Sequence, residues 1–197
     1  WNYRAEDGGG IISDMFPHWH YVLENLFGEV KTVYAHAAVH IADRWDERGH
    51  HYTATAEDAA YGIFELEGGI VAEINSSWTV RVNRDELVEF QVDGTHGSAV
   101  VGLFSAKIQP RNATPKPVWN PDLEDDHDYD ADWLSVPTNE VFLNGFRQQW
   151  QEFLTSYVRG TEYPFDLLAG ARGVQFAAAG LTSSSEGRKV TIERLSL

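Results

Sequence analysis

Apolar side chains recur every three or four residues from Ile11 to Phe27, which is the spacing of a helix with one apolar face. Gly28 follows at the place where a helix commonly ends. Three consecutive glycines precede the pattern and allow backbone conformations that other residues avoid. The pattern predicts a helix over residues 11–27 that begins after a glycine-rich turn.

Alternation between apolar and polar residues follows, with the period of two that is typical of strands. The first strand is predicted over residues 29–41, and a polar loop over residues 43–52. Residues 59–66 and 70–79 form a predicted hairpin around a Glu-Gly-Gly turn. Further strands are predicted over residues 86–92, 98–103 and 104–109, with a short last strand over 190–193.

Two helices are predicted near the end of the chain, because apolar residues again recur at helical spacing there. The first ends at Gly160 and has the apolar stripe Phe142, Phe146, Trp150, Phe153, Leu154 and Tyr157. The second is capped by Asp166 and has the apolar positions Leu167, Ala171, Val174, Ala178 and Leu181. Both helices are expected to pack on a sheet.

A long segment without apolar periodicity, residues 112–137, separates the strands from these helices. Within it, the part from Asp122 to Asp132 carries seven carboxylates in eleven residues. So many like charges repel one another and need solvent around them. The segment is predicted to be a solvated loop without a bound ion.

The order of elements predicts an α+β fold: one large, mostly antiparallel sheet with helices packed on one face, in a single domain over residues 1–197. The opposite face would carry polar and aromatic side chains, among them Tyr34, His36 and His40. A broad sheet face of this kind seldom stays uncovered. A homo-oligomer formed through the open face is therefore predicted.

Composition narrows the range of partners and locations. The 197 residues carry a formal net charge of −15, which argues against nucleic acid and anionic membranes as partners. The chain has no cysteine, which excludes disulfides and thiolate chemistry. No apolar run approaches the ~20 residues of a membrane span, and the expected location is cytoplasmic. Because the chain begins with Trp1, it is interpreted as a piece of a longer protein.

Asp14 and His18 are the main candidates for catalysis. They are four residues apart in the predicted first helix, so they lie on one face, one turn apart. A carboxylate beside an imidazole fixes the histidine tautomer and raises the pKa of the ring, which suits a general acid or base. The alternative is a surface pair in which Asp14 serves the helix dipole. The residues alone leave both interpretations open.

Candidate substrate contacts are the aromatic residues Trp19, His20, Tyr21 and Trp45. A helix turns the His20 side chain about 200° away from His18, so the two rings face different directions. A metal site is the competing interpretation for the histidines, but a strand would separate His36 and His40 by about 13 Å. The acidic segment lacks the glycine and glutamate of a calcium loop. No metal site is predicted.

The run Gly-Gly-Gly-x-x-x-Asp-x-x-x-His and the apolar helix around it resemble the start of the C-terminal domain in the glucose-fructose oxidoreductase / inositol dehydrogenase / MocA (Gfo/Idh/MocA) family. Shorter matches cover most of the chain and include Glu57-Asp58 with the Gly68-Gly69 turn and Ser76-Ser77-Trp78, Gly94-Thr95-His96-Gly97-Ser98, Asn144-Gly145-Phe146 and Leu181 to Gly187. The chain departs from the family at Tyr21, where an acidic residue is common.

The resemblance implies a dihydrodipicolinate reductase/glyceraldehyde-3-phosphate dehydrogenase-like C-terminal fold in a dehydrogenase that acts on a hydroxyl of a sugar, sugar acid or cyclitol. His18 would transfer the hydroxyl proton with the support of Asp14. NAD or NADP would be held mainly by an N-terminal Rossmann domain outside this chain, with Gly9 and Gly10 as candidate cofactor contacts. The isolated chain is accordingly expected to be inactive. The alternative function is a non-catalytic sheet domain that binds carbohydrate or serves assembly.

Overall fold

The computed structural model describes residues 1–116, 120–137 and 144–196, which form two compact units. The first unit joins Trp1–Arg81 to the C-terminal part of the chain from Glu152 onward, and the second is Val82–Gln151. Every strand pairing within the described ranges is antiparallel. The combination of helices and antiparallel sheet confirms the α+β class predicted from the sequence.

Most of the regular structure lies in the first unit. It begins with helix α1 (Ile11–Phe27) and continues with the strands β1 (Val30–Ala38), β2 (Asp43–Trp45), β3 (His51–Thr53), β4 (Ala59–Leu66) and β5 (Val71–Ser77). The second unit contains β6 (Phe90–Gly94), β7 (Gly97–Val101), β8 (Ala106–Pro110) and β9 (Leu134–Ser135). The chain ends with α2 (Gly145–Arg159), α3 (Leu167–Glu186) and β10 (Val190–Thr191).

Four strands of the first unit form one sheet, in the order β10–β1–β4–β5. Its register places Val33 of β1 opposite Phe64 of β4. A three-residue turn, Glu67–Gly69, joins β4 to β5 and confirms the predicted hairpin. Strands β2 and β3 form a separate hairpin, and β6 to β9 form a second four-stranded sheet. The strands are thus divided between sheets instead of being joined in one continuous ladder.

Three phenylalanines form the centre of the core in the first unit. Phe16 comes from α1, Phe64 from β4 and Phe176 from α3, and each is at most 1% exposed. The Phe64 and Phe176 rings stack with 5.1 Å between centroids, and Phe16 meets Phe64 edge-on at 5.6 Å. Such aromatic pairs add about 0.5–1.5 kcal/mol each to the burial of the rings. They fix the face of α1 that points toward the sheet.

Helices α1 and α3 approach closely because α3 has glycine where they meet. A Cβ atom added to Gly180 would lie 2.6 Å from the Phe16 ring. One added to Gly173 would lie 3.4 Å from the Pro17 side chain. The buried face of α3 accordingly consists of Gly173, Phe176, Ala177, Gly180 and Ser183. Small residues set the spacing of the two helices.

The apolar positions listed for α3 from the sequence are not the residues that the helix buries. The exposed side of the helix carries Leu167, Ala171, Val174, Ala178 and Leu181. Their spacing is helical, but the face of α3 that is buried carries Phe176 together with small residues such as Gly173 and Gly180. The helix and its cap are confirmed, since the Asp166 side chain accepts a hydrogen bond from the Ala169 N–H at 2.8 Å.

Helix α2 is confirmed, and it ends directly before Gly160 as predicted. Of its predicted apolar stripe, Phe142 lies outside the described residues. The other members are exposed: Phe146, Trp150, Phe153, Leu154 and Tyr157. Helical spacing therefore predicts the element correctly, whereas burial of the stripe is not observed for its described members.

Several strand boundaries differ from the prediction. Strand β1 ends at Ala38, so Val39 and Ile41 lie outside it. The predicted polar loop over residues 43–52 contains the hairpin β2–β3, whose strands of three residues are too short to show an alternating pattern. In the second unit, β6 begins at Phe90, four residues later than predicted. Strand β9 pairs with β8 from within the segment that was predicted as a loop.

His20 lies on the inner face of α1 and is 5% exposed. Its ring packs against Phe176, with 5.3 Å between ring centroids. Nε2 is 3.4 Å from the Glu24 carboxylate, whereas Nδ1 is buried with no hydrogen-bond partner in the described part of the chain. Burial lowers the pKa of His20 and outweighs the Glu24 carboxylate, which raises it, while Arg172 and Arg194 lower it further.

The close contact between α1 and α3 predicts the effect of a single methyl group. In the full-length protein, Gly180→Ala should destabilise by about 1–3 kcal/mol, because the new Cβ overpacks against Phe16. Gly170→Ala is the matched control in the same helix, since nothing lies within 4 Å of its Cβ position. It should be neutral or stabilising by up to about 1 kcal/mol. Urea midpoints that shift equally in the two variants would contradict the packing argument.

The buried histidine predicts a pH dependence of stability. Below about pH 6.5 the unfolded chain protonates this residue, whereas the folded chain does so only at lower pH because the pKa of His20 is depressed. Folding stability should therefore be lost as the pH falls below about 6.5. In His20→Gln, the thermal midpoint should change less between about pH 7.5 and 5.5 than in wild type.

The control for this experiment is His96→Gln, which alters an exposed histidine in the second unit. It should keep the wild-type pH dependence of the thermal midpoint. The explanation is wrong if His20→Gln and wild type lose the same number of degrees over that pH range.

Candidate functional site

The core fixes which side chains of α1 point outward. Phe16 faces the sheet, and Asp14 precedes it by two residues, which is about 200° around the helix. His18 follows Asp14 by one turn and lies about 40° from it. Asp14 is half-buried and His18 is exposed. The structure therefore brings the two predicted catalytic residues together on the outer face of α1.

Asp14 and His18 share this face without a direct bond. Within the described residues, neither side chain makes a hydrogen bond or an ion pair. Side chains at i and i+4 have Cβ atoms about 5–6 Å apart, so a change of rotamer is enough to bring them into contact. The arrangement is an accessible imidazole with a carboxylate one turn before it.

Tyr21 lies on the same outer face, one turn after His18. Its ring meets the edge of Phe165 with 5.9 Å between centroids. Burial raises the pKa of the Tyr21 hydroxyl, and the nearby Asp166 and Tyr163 add to the rise. At neutral pH the phenol is thus protonated and uncharged. It presents an uncharged hydrogen-bond donor on this face.

Trp19 and His20 point away from this outer face. The Trp19 indole N–H donates a hydrogen bond to the Ser76 hydroxyl of β5 at 2.7 Å, which turns the ring toward the sheet. His20 is buried against Phe176, as described above. The structure therefore turns these two candidate substrate contacts away from Asp14 and His18, and for His20 this is the direction that helix geometry predicts.

Trp45 is exposed at the end of β2, where its ring meets the edge of His51 at 5.4 Å.

The fully buried carboxylate of Asp58 holds the hairpin of β2 and β3 in place. Asp58 accepts hydrogen bonds from the His40 N–H at 2.8 Å and the Ile41 N–H at 3.0 Å, and from the Arg44 guanidinium at 2.8 Å. The aromatic tip of the hairpin is thus attached to the sheet through one side chain.

Asp58 is a structural residue that belongs to a motif of the family resemblance, but the sequence alone assigned it no role. Burial raises the pKa of its carboxyl, but the two backbone N–H groups and Arg44 together outweigh burial and hold the pKa below its usual range. The Arg44 guanidinium also lies 3.5 Å above the centroid of the Tyr3 ring. The available signal was an aspartate directly before the apolar run of β4, where a buried strand begins.

The glycine run that opens α1 is packed against the chain itself. A Cβ on Gly9 would lie 2.3 Å from the Trp1 carbonyl oxygen, and one on Gly10 2.5 Å from the Glu57 carboxylate. Gly10 also has a φ of 119°, which side chains other than hydrogen disfavour. These contacts explain why glycine occupies both positions, and the explanation does not require a bound ligand. They give no structural support to the predicted cofactor contact, which remains a prediction.

The described residues contain no group of three histidine, aspartate or glutamate side chains placed to hold a metal ion. In the acidic segment, some carboxylates make hydrogen bonds with neighbouring groups. The Asp128 side chain accepts hydrogen bonds from the Asp130 and Ala131 N–H groups, and the Asp132 carboxylate lies 2.6 Å from Nε2 of His127. None of the helices in the described ranges has the length and apolar composition needed to cross a membrane.

Comparison with known proteins identifies relatives of the chain. A sequence model described as the GFO/IDH/MocA C-terminal domain matches residues 1–100. The D-xylose dehydrogenase of Paenarthrobacter nicotinovorans is 58% identical over 201 residues, which cover 100% of this chain and 52% of that protein. The chain therefore spans about half the length of this curated relative.

Solved structures share the fold at low sequence identity. Levoglucosan dehydrogenase in complex with NADH and levoglucosan has a TM-score of 0.76 and 14% identity, with 99% of this chain and 54% of that one covered. An oxidoreductase domain protein from Kribbella flavida has a TM-score of 0.71 and 17% identity, with 94% and 51% covered. These structures show the fold, and the sequence match over half of the residues shows that the chain belongs to the GFO/IDH/MocA family, in which it corresponds to the C-terminal domain.

Proposed function

We propose that this chain is the substrate-binding and acid–base half of an NAD(P)-dependent dehydrogenase that oxidises a hydroxyl group of a sugar. The observation that carries the proposal is the exposed His18 on the outer face of α1, one turn after Asp14. Support for a sugar comes from the D-xylose dehydrogenase that is 58% identical to the chain. An aldose is therefore the first substrate class to test.

The chemistry needs a base at the sugar hydroxyl. A bound nicotinamide supplies the hydride acceptor for the carbinol carbon. Loss of hydride leaves a protonated carbonyl unless a positioned base takes the hydroxyl proton. His18 takes that proton during oxidation and returns it during reduction. Asp14 supports the charged imidazolium from one turn away, and this contact tightens when substrate orders the side chains.

Tyr21 and Trp45 complete the proposed substrate surface. The protonated Tyr21 phenol offers a neutral donor to a second sugar hydroxyl, beside His18 on the same helix face. Trp45 presents an exposed aromatic ring of the kind that packs on the apolar side of a sugar. Neither side chain adds charge to the site, which suits an uncharged aldose better than a sugar acid.

The nucleotide is proposed to bind outside this chain, in a Rossmann domain that occupies much of the remaining length of the full protein. The curated relative is about twice as long as the part matched here. The 197 residues contain no Gly-x-Gly-x-x-Gly turn of the type that cradles a pyrophosphate. The chain expressed alone should therefore oxidise no sugar, because positioning of the hydride acceptor is missing.

Substitution of His18 tests the proposed reaction directly. With D-xylose and NAD or NADP, His18→Ala in the full-length protein should lower kcat by about 10²–10⁴-fold, because general-base catalysis is lost. Asp14→Asn should cause a smaller loss, and His96→Gln should leave kcat unchanged. The measurement is formation of reduced nicotinamide by absorbance. A fully active His18→Ala protein would favour the non-catalytic carbohydrate-binding or assembly domain instead.

We also propose that the open face of the sheet forms a homo-oligomer. Helices α1 and α3 cover one face, and the other exposes rows of paired side chains, with Tyr34 opposite Ile63 and His36 opposite Tyr61. The two tyrosines and Ile63 are between 41% and 49% exposed, which is high for large side chains at the centre of a sheet. Burying this surface against a second copy would remove apolar area from water.

A charge at the centre of this surface tests the assembly. Light scattering of the full-length wild type should give a mass above that of a monomer. Ile63→Arg should lower the mass, because an unpaired charge would be buried at the interface. Val174→Arg is the control, since Val174 is an exposed residue of α3 on the opposite side of the sheet. A monomeric wild type at micromolar concentration would contradict the proposal.

A further inference from the structure

We infer that Glu57 is a positioning residue for Asp14 and His18, and this inference rests on the function proposed above. Glu57 lies in the segment that leads into β4, 43 positions after Asp14 in the sequence. It contacts the start of α1 through both its backbone and its side chain. By holding the first turn of the helix, Glu57 fixes the positions of Asp14 and His18 on the outer face of α1.

Two hydrogen bonds make this contact. The Ile11 N–H donates to the Glu57 carbonyl oxygen at 3.0 Å, and the Ile12 N–H donates to Glu57 Oε1 at 3.1 Å. The first N–H groups of a helix have no partner within the helix, and a capping side chain normally accepts from them. Here the residue at the cap position is Gly10, which has no side chain to offer. Glu57 takes over the capping role from another element.

The segment that bears Asp14 depends on this cap more than an ordinary first turn does. Pro17 lies inside α1 and has no N–H, so the bond that would join it to the Ser13 carbonyl is missing. The Asp14 N–H donates to the Gly10 carbonyl at 3.1 Å, which ties Asp14 to the first turn. The position of Asp14 therefore follows the cap closely.

Glu57 itself is held in place by its neighbour. The Asp58 N–H donates to the Ala38 carbonyl at 3.0 Å, and the Asp58 carbonyl accepts from the Trp78 N–H at 2.9 Å. The Asp58 side chain is fully buried and accepts hydrogen bonds from the His40 and Ile41 N–H groups. The backbone that presents Glu57 is thus fixed at the end of β1 and just after β5. The cap is attached to the sheet and not to a free loop.

This arrangement makes the length of the side chain at position 57 the decisive property. Glu57→Gln keeps the length and keeps an oxygen acceptor for the Ile12 N–H, but it removes the charge. Glu57→Asp keeps the charge, but it is one methylene shorter and withdraws the acceptor. A displacement of about 1 Å at a catalytic group can cost about 100-fold in rate. If Glu57 acts by positioning, Glu57→Gln should keep its activity and Glu57→Asp should lose activity. If Glu57 acted only through its charge, the two variants would behave the other way round.

The kinetic test uses the full-length protein with D-xylose and nicotinamide. We expect Glu57→Gln to keep kcat within about threefold of wild type and Glu57→Asp to lower it by about tenfold or more, with KM nearly unchanged in both. Asn144→Ala is the matched control, because it removes the side-chain cap of α2, where Asn144 accepts from the Phe146 N–H at 3.0 Å. It should lower the thermal midpoint without lowering kcat. Equal kcat values in Glu57→Gln and Glu57→Asp would overturn the inference.

A second measurement does not depend on activity. Amide hydrogen exchange of the peptide that covers residues 10–18 should be faster in Glu57→Asp than in wild type and unchanged in Glu57→Gln. Unchanged exchange in Glu57→Asp would overturn the anchoring of α1 even if the protein is an active dehydrogenase. A wild-type protein that oxidises no sugar with either nicotinamide would instead overturn the proposed function, and the exchange result would still decide the anchoring.

Discussion

The packing of Phe16 between the sheet and α3 is the constraint on which the first unit depends. Its ring contacts Phe64 from the sheet and Phe176 from α3, and all three are excluded from solvent. The glycine at position 180 is what allows α3 to come close enough for this contact. Once Phe16 is fixed, the rotation of α1 about its axis is fixed as well. The outward direction of Asp14 and His18 is a consequence of the core and not a separate feature.

The adjacent acidic residues Glu57 and Asp58 supply the second constraint, and each one holds a different part of the first unit. Glu57 accepts from the start of α1, while Asp58 accepts from the backbone after β1 and from Arg44. A buried carboxylate is costly by itself, and its three donors offset that cost. Removing one partner from such a pair typically costs about 3–5 kcal/mol, because the remaining charge stays buried. This dipeptide connects the proposed catalytic helix, the aromatic hairpin and the sheet.

The fold keeps three surfaces of the first unit apart. The inner face of α1 serves the core and includes the buried His20, while its outer face carries the exposed imidazole. The sheet face opposite the helices carries tyrosine, histidine and isoleucine side chains that take no part in the core. The proposed acid–base chemistry and the proposed assembly therefore lie on different surfaces of the first unit, on opposite sides of the core.

The local elements and the spacing of residues within them follow from the amino-acid sequence alone. Helical periodicity located α1 from Ile11 to Phe27, and the glycine pair before Ile70 located the hairpin of β4 and β5. The four-residue spacing placed Asp14 and His18 on one face, because helix geometry alone requires it. The short run of motifs was also sufficient to indicate the family that the comparisons identify.

The buried faces of the elements, and the contacts between residues far apart in the sequence, depend on how the elements pack in three dimensions. In α3, the apolar residues Leu167 and Val174 are exposed, whereas Phe176 and small residues form the buried face, and at Gly180 a Cβ atom would clash with the Phe16 ring. The partners of Glu57 are 45 and 46 positions away in the sequence, and no local pattern encodes a hydrogen bond across that separation. Periodicity reports the shape of one element, whereas burial and capping depend on the neighbours that folding brings to it.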